Sequence, residues 1–180
     1  PNPLLLASSL AAFSSFLNEG AIADWSAVYL RETLKSEPYL VGMAYAGYAM
    51  FMAIGRFTGD MLIPKFGKKN LVIGGGLLSA LSMSALLILH DPWVAIVGFS
   101  LVGLGFSCIV PILYSSAANE PGYTAESAIA VVSTISFTGF FIGPPIIGFI
   151  SEQYGLSLAL ILVVGLSIMI SAIGTMIQFK

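Results

Sequence analysis

Residues 55–69 read GRFTGDMLIPKFGKK, in which an arginine and an aspartate four residues apart are followed by three lysines. In a helix this spacing puts Arg56 and Asp60 on one face, where they can pair. Gly55 and Gly59 share a neighbouring face, and their lack of side chains lets a second helix approach closely. Charged groups at the end of a membrane helix are costly, so we expect Arg56 and Asp60 to have partners or a working role.

The composition predicts a membrane protein. The 180 residues are 57% hydrophobic and 9% charged, whereas a soluble domain carries about 25% charged residues. A spanning helix takes about 20 mostly apolar residues. The sequence therefore predicts an all-α, polytopic membrane protein in the lipid bilayer, whose six transmembrane segments cover about Pro3–Leu30, Tyr39–Leu62, Leu71–Leu89, Trp93–Ser115, Glu126–Ser151 and Gly155–Phe179.

The same composition argues against several other functions. The net charge is -2 and no basic stripe occurs, so no nucleic-acid partner is expected. Cys108 is the only cysteine, which leaves no disulfide within the chain and no thiolate metal cage, and no cofactor is predicted. An intramembrane serine protease needs a histidine facing its serine, but the sole histidine, His90, falls in a predicted turn. An enzyme is therefore not expected.

Residues 55–69 resemble the signature loop of the major facilitator superfamily of transporters, Gly-x-x-x-Asp followed by Arg/Lys-Phe-Gly-Arg/Lys-Arg/Lys. The matching residues are Gly55, Gly59, Asp60, Lys65, Phe66, Gly67, Lys68 and Lys69. Residues 61–64 lengthen the spacing before the Phe-Gly turn, which is similar to bacterial sugar-permease-type members, including fucose-permease-like ones. A plainer interpretation of the lysines alone is a positive-inside loop between any two spans.

This resemblance implies that residues 1–180 are the carboxyl-terminal half of such a transporter, helices seven to twelve. The full protein would then be a secondary transporter that moves a small solute by rocking two halves around a midplane site. An amino-terminal six-helix half would be the partner, and this half alone is not expected to transport. The alternative is a six-helix membrane solute-binding (vitamin-capture) subunit, which has about this length and hydrophobicity.

A short repeat runs through the chain. Ile54-Gly55 is followed by Phe66-Gly67, and Ile142-Gly143 by Tyr154-Gly155, and in each copy the second glycine comes twelve residues after the first. The offset of 88 residues contains three predicted spans, so the second copy enters the membrane from the other side. The sequence therefore predicts two inverted three-helix repeats, about 3–89 and 93–179, as in each half of a major facilitator transporter.

Loop charge predicts the orientation. Three lysines, at positions 65, 68 and 69, follow the second segment, and Lys180 lies on the same side. On the opposite side, Arg31 and Lys35 lie among glutamates. The positive-inside rule then places the lysine loop and both termini in the cytoplasm. The resemblance to bacterial permeases implies a bacterial inner (plasma) membrane.

Two carboxylates of the first segment are candidate functional groups. Glu19 falls near the bilayer centre, and Asp24 lies about 7 Å nearer the outer face at 1.5 Å per residue. A carboxylate at that depth costs several kcal/mol unless it is paired, hydrated or protonated. Both are therefore candidates for proton coupling, as in a symporter, or for substrate binding. Alternatively, Glu19 hydrogen-bonds a Ser or Thr of a neighbouring helix, and Asp24 is simply interfacial.

Three further residues of this segment suit a polar, ring-bearing ligand such as a sugar. Asn18, Trp25 and Tyr29 are predicted to lie on roughly one face of the helix. Trp25 and Tyr29 are equally typical of the aromatic belt that anchors a helix at the membrane surface.

Proline is expected to kink two later segments. Pro111 lies in the fourth segment, and Gly143, Pro144 and Pro145 lie in the fifth. A proline inside a helix removes a backbone hydrogen bond and bends it. These stretches resemble the hinge-bearing helices of facilitator transporters.

The resemblance also implies a gating role for Asp60. It would sit against the cytoplasmic start of the fifth segment, which Thr124 or Glu126-Ser127 marks. There a carboxylate meets the positive end of a helix dipole. This contact would latch the cytoplasmic side in the outward-open state and break on inward opening.

Overall fold

The computed structural model describes residues 2–179, so Lys180, which enters the orientation argument, lies outside the described residues. Within this range every regular element is helical. The elements in chain order are α1 (Pro3–Val28), a π-helical turn (Tyr29–Thr33), α2 (Pro38–Val41), α3 (Met43–Phe66), α4 (Lys68–Leu89), α5 (Pro92–Phe106), α6 (Ile109–Ala118), α7 (Ala125–Tyr154), α8 (Leu156–Ala159) and α9 (Ile161–Met176).

These elements form six stretches long and apolar enough to cross a membrane. They are numbered here as spans 1 to 6: Pro3–Thr33, Pro38–Phe66, Lys68–Leu89, Pro92–Ala118, Ala125–Tyr154 and Leu156–Met176. The six predicted segments and the all-α class are thereby confirmed.

Polar caps mark where several spans begin. The Asn2 side chain accepts hydrogen bonds from the first turn of α1, and Asp91 does the same for α5. Thr124 accepts from the backbone N–H of Ser127 at the start of α7. Such residues satisfy backbone donors that have no partner inside the helix.

The packing of the spans is symmetric between the two triplets. Span 1 packs mainly on span 5, and span 4 mainly on span 2. Spans 3 and 6 pack on each other, while span 3 also contacts span 4 and span 6 also contacts span 1. Exchanging the first triplet with the second reproduces these contacts, which is the symmetry expected of two three-helix repeats. Spans 1 and 4 are the most buried and form the centre of the bundle.

Two equivalent glycines of the repeat bring neighbouring spans into close contact. A Cβ on Gly143 would lie 2.5 Å from the carbonyl oxygen of Leu17 on span 1. A Cβ on Gly55 would likewise lie 2.5 Å from the Cβ of Ser107 on span 4. Both positions therefore need a residue without a side chain, as small-residue helix contacts in membranes do.

The prolines have different effects in the two spans. In span 4 the helix is interrupted between Phe106 and Ile109, and Pro111 lies in the first turn of α6. Because Pro111 has no N–H, the Ser107 carbonyl four residues earlier cannot receive its helical hydrogen bond. In span 5, by contrast, α7 stays continuous across Pro144 and Pro145.

Candidate functional site

Glu19 lies near the middle of span 1, and the opposite charge of Arg56 lies about two thirds of the way along span 2, which contacts span 1. Glu19 is half-buried and Arg56 is exposed. The charge of Arg56 acts on the Glu19 carboxyl. Among residues 2–179 the ion pair within 4.0 Å is Arg31–Glu32, so Glu19 and Arg56 interact at longer range.

The predicted pairing of Arg56 with Asp60 is not formed. Both side chains are exposed, and no ion pair joins them within the part of the chain that the structure describes. Arg56 instead acts on Glu19 and on Tyr48. The physical reason is that two exposed side chains gain little from such a pair and lose rotamer freedom in forming it.

Residues 2–179 show no hydrogen bond or ion pair between Asp60 and the start of span 5. Span 2 packs on span 4, and span 5 packs on span 1, so the two spans have no extensive contact with each other. Asp60 and residues 124–127 are all exposed. The helix start that Thr124 caps is therefore exposed within this half.

Tyr48 is a candidate that only the structure indicates. It is 1% exposed, and its hydroxyl has no hydrogen-bond partner among residues 2–179. Glu19 and Arg56 both act on it electrostatically. Its ring stacks on that of Tyr45 with the centroids 6.1 Å apart. The sequence does contain a signal, because Tyr48 precedes Arg56 by about two helical turns on span 2.

A cavity of about 480 Å³ opens between spans 1 and 5. Asp24, which is exposed, supplies the charge in its lining. The Trp25 Nε1 donates a hydrogen bond to the Pro144 carbonyl oxygen at 3.0 Å, which holds the indole against span 5. The lining consists of Asp24, Trp25, Val28, Phe140, Phe141, Pro144 and Pro145. The cavity thus combines one carboxylate with aromatic surfaces.

Asn18 lies away from this cavity. Its side chain is fully buried, and its Nδ2 donates to the Ser167 hydroxyl of span 6 at 3.4 Å. The Asn18 Oδ1 has no partner among the described residues. Asn18 therefore connects two packed spans instead of presenting its amide to a ligand in the cavity.

Tyr29 is likewise buried, in contact with spans 3 and 4. Its hydroxyl donates to the Leu86 carbonyl oxygen at 3.4 Å, and its ring meets the Phe99 ring edge-on at 6.3 Å. The common face predicted for Asn18, Trp25 and Tyr29 is therefore divided among four neighbouring spans. Of these three residues, Trp25 lines the cavity.

The signature loop is a single-residue turn. Gly67 ends α3, and α4 begins at Lys68. The Lys65 ammonium lies 5.3 Å from the centre of the Phe66 ring, and Lys69 is exposed. The loop therefore holds its lysines close together at one end of the bundle, as the positive-inside interpretation requires.

Residues 2–179 contain no group of three or more His, Cys, Asp or Glu side chains placed to hold a metal ion. Cys108 is buried, and its thiol donates to the Gly55 carbonyl oxygen at 3.5 Å. This contact joins spans 2 and 4 and gives the cysteine a packing role.

Comparison with known proteins places the chain among transporters. An uncharacterised MFS-type transporter of Yersinia pestis is 40% identical over 147 residues, which cover 82% of this chain and 38% of the relative. The membrane protein MosC of Rhizobium meliloti is 31% identical over 170 residues, which cover 94% and 42%. The uncharacterised transporter y4wD of Sinorhizobium fredii is 28% identical over 163 residues, which cover 91% and 43%.

The chain thus spans about two fifths of the length of these curated relatives. The family model of the Major Facilitator Superfamily matches residues 5–179, nearly the whole chain. With six spans, symmetric packing of two triplets and this match, the chain belongs to the Major Facilitator Superfamily.

Proposed function

We propose that this chain is the carboxyl-terminal six-helix half of a secondary active transporter that moves a small polar solute by alternating access. Its family and the names of its relatives support membrane transport rather than an enzymatic reaction. Because the chain spans about two fifths of its relatives' length, the proposal includes an amino-terminal six-helix half as partner. The two halves would enclose a site near the membrane midplane.

The observation that carries this proposal is the interaction of Glu19 with Arg56. Ionisable residues inside spanning segments are costly and mark ion or substrate pathways. Glu19 is half-buried and Arg56 is exposed, so neither is sealed inside the six-helix bundle. We assign Glu19 as the proton carrier and Arg56 as its counter-charge. Deprotonation of Glu19 strengthens their attraction, and protonation releases it.

The cavity beside Asp24 is proposed as part of the solute site. The Asp24 carboxylate can accept hydrogen bonds from hydroxyl groups. The indole N–H of Trp25 is already donated to Pro144, so Trp25 offers the face of its ring. A carboxylate beside aromatic faces supports a polar, ring-bearing solute, and a sugar is the class we favour.

The proposed orientation places the turn at Gly67 and both termini in the cytoplasm. The lysines at positions 65, 68 and 69 support it through the positive-inside rule, and the bacterial relatives support an inner membrane. Asp60 is exposed near the same end of span 2. We propose that it gates transport by contacting the partner half.

The test is uptake by the full-length parent protein, reconstituted in vesicles with an imposed pH gradient. A panel of sugars and other small polar solutes is offered to the wild type and to Glu19→Gln. We expect uptake driven by the gradient in the wild type and its loss in the variant. Glu32→Gln, in an exposed surface ion pair, is the matched control and should transport normally.

Two results would contradict this proposal. Normal proton-driven uptake by Glu19→Gln would show that Glu19 does not carry the proton. Tight solute binding without uptake, unchanged in Asp60→Asn, would favour a solute-capture subunit. Loss of uptake in Asp60→Asn with solute binding retained would support the gating role.

A further inference from the structure

The Tyr48 hydroxyl is a buried hydrogen-bond donor without an acceptor. Tyr48 is 1% exposed, and its hydroxyl oxygen has no partner among residues 2–179. An unpaired buried polar group lowers the stability of a protein, and this is more severe where no water is available. A phenylalanine would avoid that cost, so the hydroxyl at this position points to a partner in another state of the protein.

The Glu19 carboxyl is the complementary group. It is half-buried, and no hydrogen bond to it occurs in the described part of the chain. Its charge acts on Tyr48 from the adjacent span. The Tyr48 hydroxyl, which lacks an acceptor, and the Glu19 carboxyl, which lacks a donor, are therefore close enough to interact electrostatically.

The surroundings of Tyr48 hold it in place, whereas Glu19 can move. A Cβ on Gly103 of span 4 would lie 2.9 Å from the Tyr48 carbonyl carbon, so the two backbones are in direct contact. The stacked Tyr45 ring further restricts the Tyr48 ring. Glu19 is half-buried, and its unbranched side chain has several staggered rotamers available to it.

We propose that Tyr48 is a positioning residue for Glu19, donating its phenolic hydrogen to a Glu19 carboxyl oxygen in the assembled transporter. This inference rests on the proposed role of Glu19 as proton carrier. Once the partner half excludes water, the Tyr48 hydroxyl supplies the hydrogen bond that water gives to an exposed carboxyl. Glu19 then exchanges between Tyr48 and Arg56 as its charge changes.

Arg56 is the competing donor. It lies on the same span as Tyr48 and acts on both Tyr48 and Glu19. Span 1 also packs on spans 4, 5 and 6, but within residues 2–179 Arg56 is the charged residue that acts on Glu19. The experiment must therefore distinguish a hydrogen bond that Tyr48 donates to Glu19 from one that Arg56 donates to it.

Infrared difference spectroscopy of the full-length parent protein in vesicles makes this distinction without a substrate. Acid-minus-alkaline spectra show the carbonyl stretch of protonated carboxyls, and the band that disappears in Glu19→Gln belongs to Glu19. We expect this band to shift to higher frequency in Tyr48→Phe, because loss of a hydrogen bond strengthens the C=O bond. Tyr114→Phe is the matched control, since it removes another buried tyrosine hydroxyl, one that has the neutral Ser136 beside it and on which no charged group acts.

A fluorinated tyrosine at position 48 tests the same hydrogen bond by strengthening its donor instead of removing it. It is a stronger donor with the same ring, so the Glu19 band should shift to lower frequency, whereas a purely structural role of Tyr48 predicts no shift. An unmoved band in both Tyr48 variants, or a band that moves only in Arg56→Gln, would overturn the inference. Absence of any Glu19 band would overturn the carrier role of Glu19 as well, so the two failures are distinguishable.

Discussion

Gly67 and Gly155 have nearly the same backbone conformation, with φ and ψ of 79° and 150° at Gly67 and of 84° and 155° at Gly155. Each ends a helix and donates its N–H to the carbonyl oxygen four residues earlier, at 2.9 Å. In both cases the next helix begins at the following residue. The Phe-Gly and Tyr-Gly pairs of the sequence repeat are therefore the same turn, placed once in each triplet.

Alanine at either glycine should destabilise the protein. This region of positive φ is accessible essentially only to glycine, and other residues held there cost about 1–3 kcal/mol. We expect the free energy of unfolding to fall by a similar amount in Gly67→Ala and Gly155→Ala, measured by thermal unfolding of the full-length protein in detergent. Gly74→Ala is the control, because Gly74 is helical and an added Cβ meets nothing within 4 Å. If Gly74→Ala were as unstable as the two variants, the positive φ would not be the cause of their instability.

Alanine at Gly143 should weaken the packing of span 1 on span 5. Its Cβ would lie 2.5 Å from the Leu17 carbonyl oxygen, and a backbone atom cannot rotate away. Overpacking of this kind costs about 1–3 kcal/mol. Gly165→Ala, a helical position with open space around the added Cβ, should be neutral or stabilising in the same unfolding experiment. If Gly143→Ala and Gly165→Ala were equally stable, spans 1 and 5 could move apart to accept the added Cβ at little cost.

Asn18 and Trp25 should differ in their effect on transport. Asn18 is buried against span 6, so Asn18→Ala should lower stability and leave the KM for solute unchanged. Trp25 lines the cavity, so Trp25→Ala should raise the KM, and Trp25→Phe should restore part of the lost affinity by keeping an aromatic face. Uptake kinetics of the full-length variants test this. If the KM rose in Asn18→Ala but not in Trp25→Ala, the solute would not bind in the cavity that Trp25 lines.

The interaction between Glu19 and Arg56 should appear as coupling in a double-mutant cycle. Removing one charge leaves the other uncompensated in the membrane, so Glu19→Gln and Arg56→Gln should each lower stability. The double variant should lose less than the sum of the two single variants, which gives a measurable coupling energy.

The exposed pair Arg31–Glu32 is the reference for this cycle. Surface pairs of this kind contribute about 0–1 kcal/mol, so the same cycle built on them should give a smaller coupling. Strict additivity of Glu19→Gln and Arg56→Gln in thermal unfolding would mean that the two charges do not act on each other.

Local patterns predicted the six spans well. Long apolar runs predicted helices whose observed bounds differ by only a few residues, such as Tyr39–Leu62 against Pro38–Phe66. Asp91 caps the span that follows the His90 turn, as expected of a polar residue before an apolar run. Hydrophobic length, capping and glycine turns act within a few residues of the chain, so they can be recognised without knowing the packing.

Contacts between spans could not be predicted in the same way. The four-residue spacing of Arg56 and Asp60 indicated a pair, but Arg56 acts on Glu19, which lies on another span. One shared face was expected for Asn18 and Trp25, yet span 1 is central, so neighbouring spans divide its surface.

By itself the sequence determined the helical membrane class, the number of spans, the repeated glycine turn and the family resemblance. These follow from hydrophobic length and from backbone conformations that only glycine adopts readily. The tertiary structure decided that Asn18 is buried and Trp25 accessible, that Arg56 interacts with Glu19, and that Tyr48 is a buried donor without a partner among residues 2–179. Such outcomes depend on which helices pack side by side, and side-chain burial and charge interactions exist only once that packing has formed.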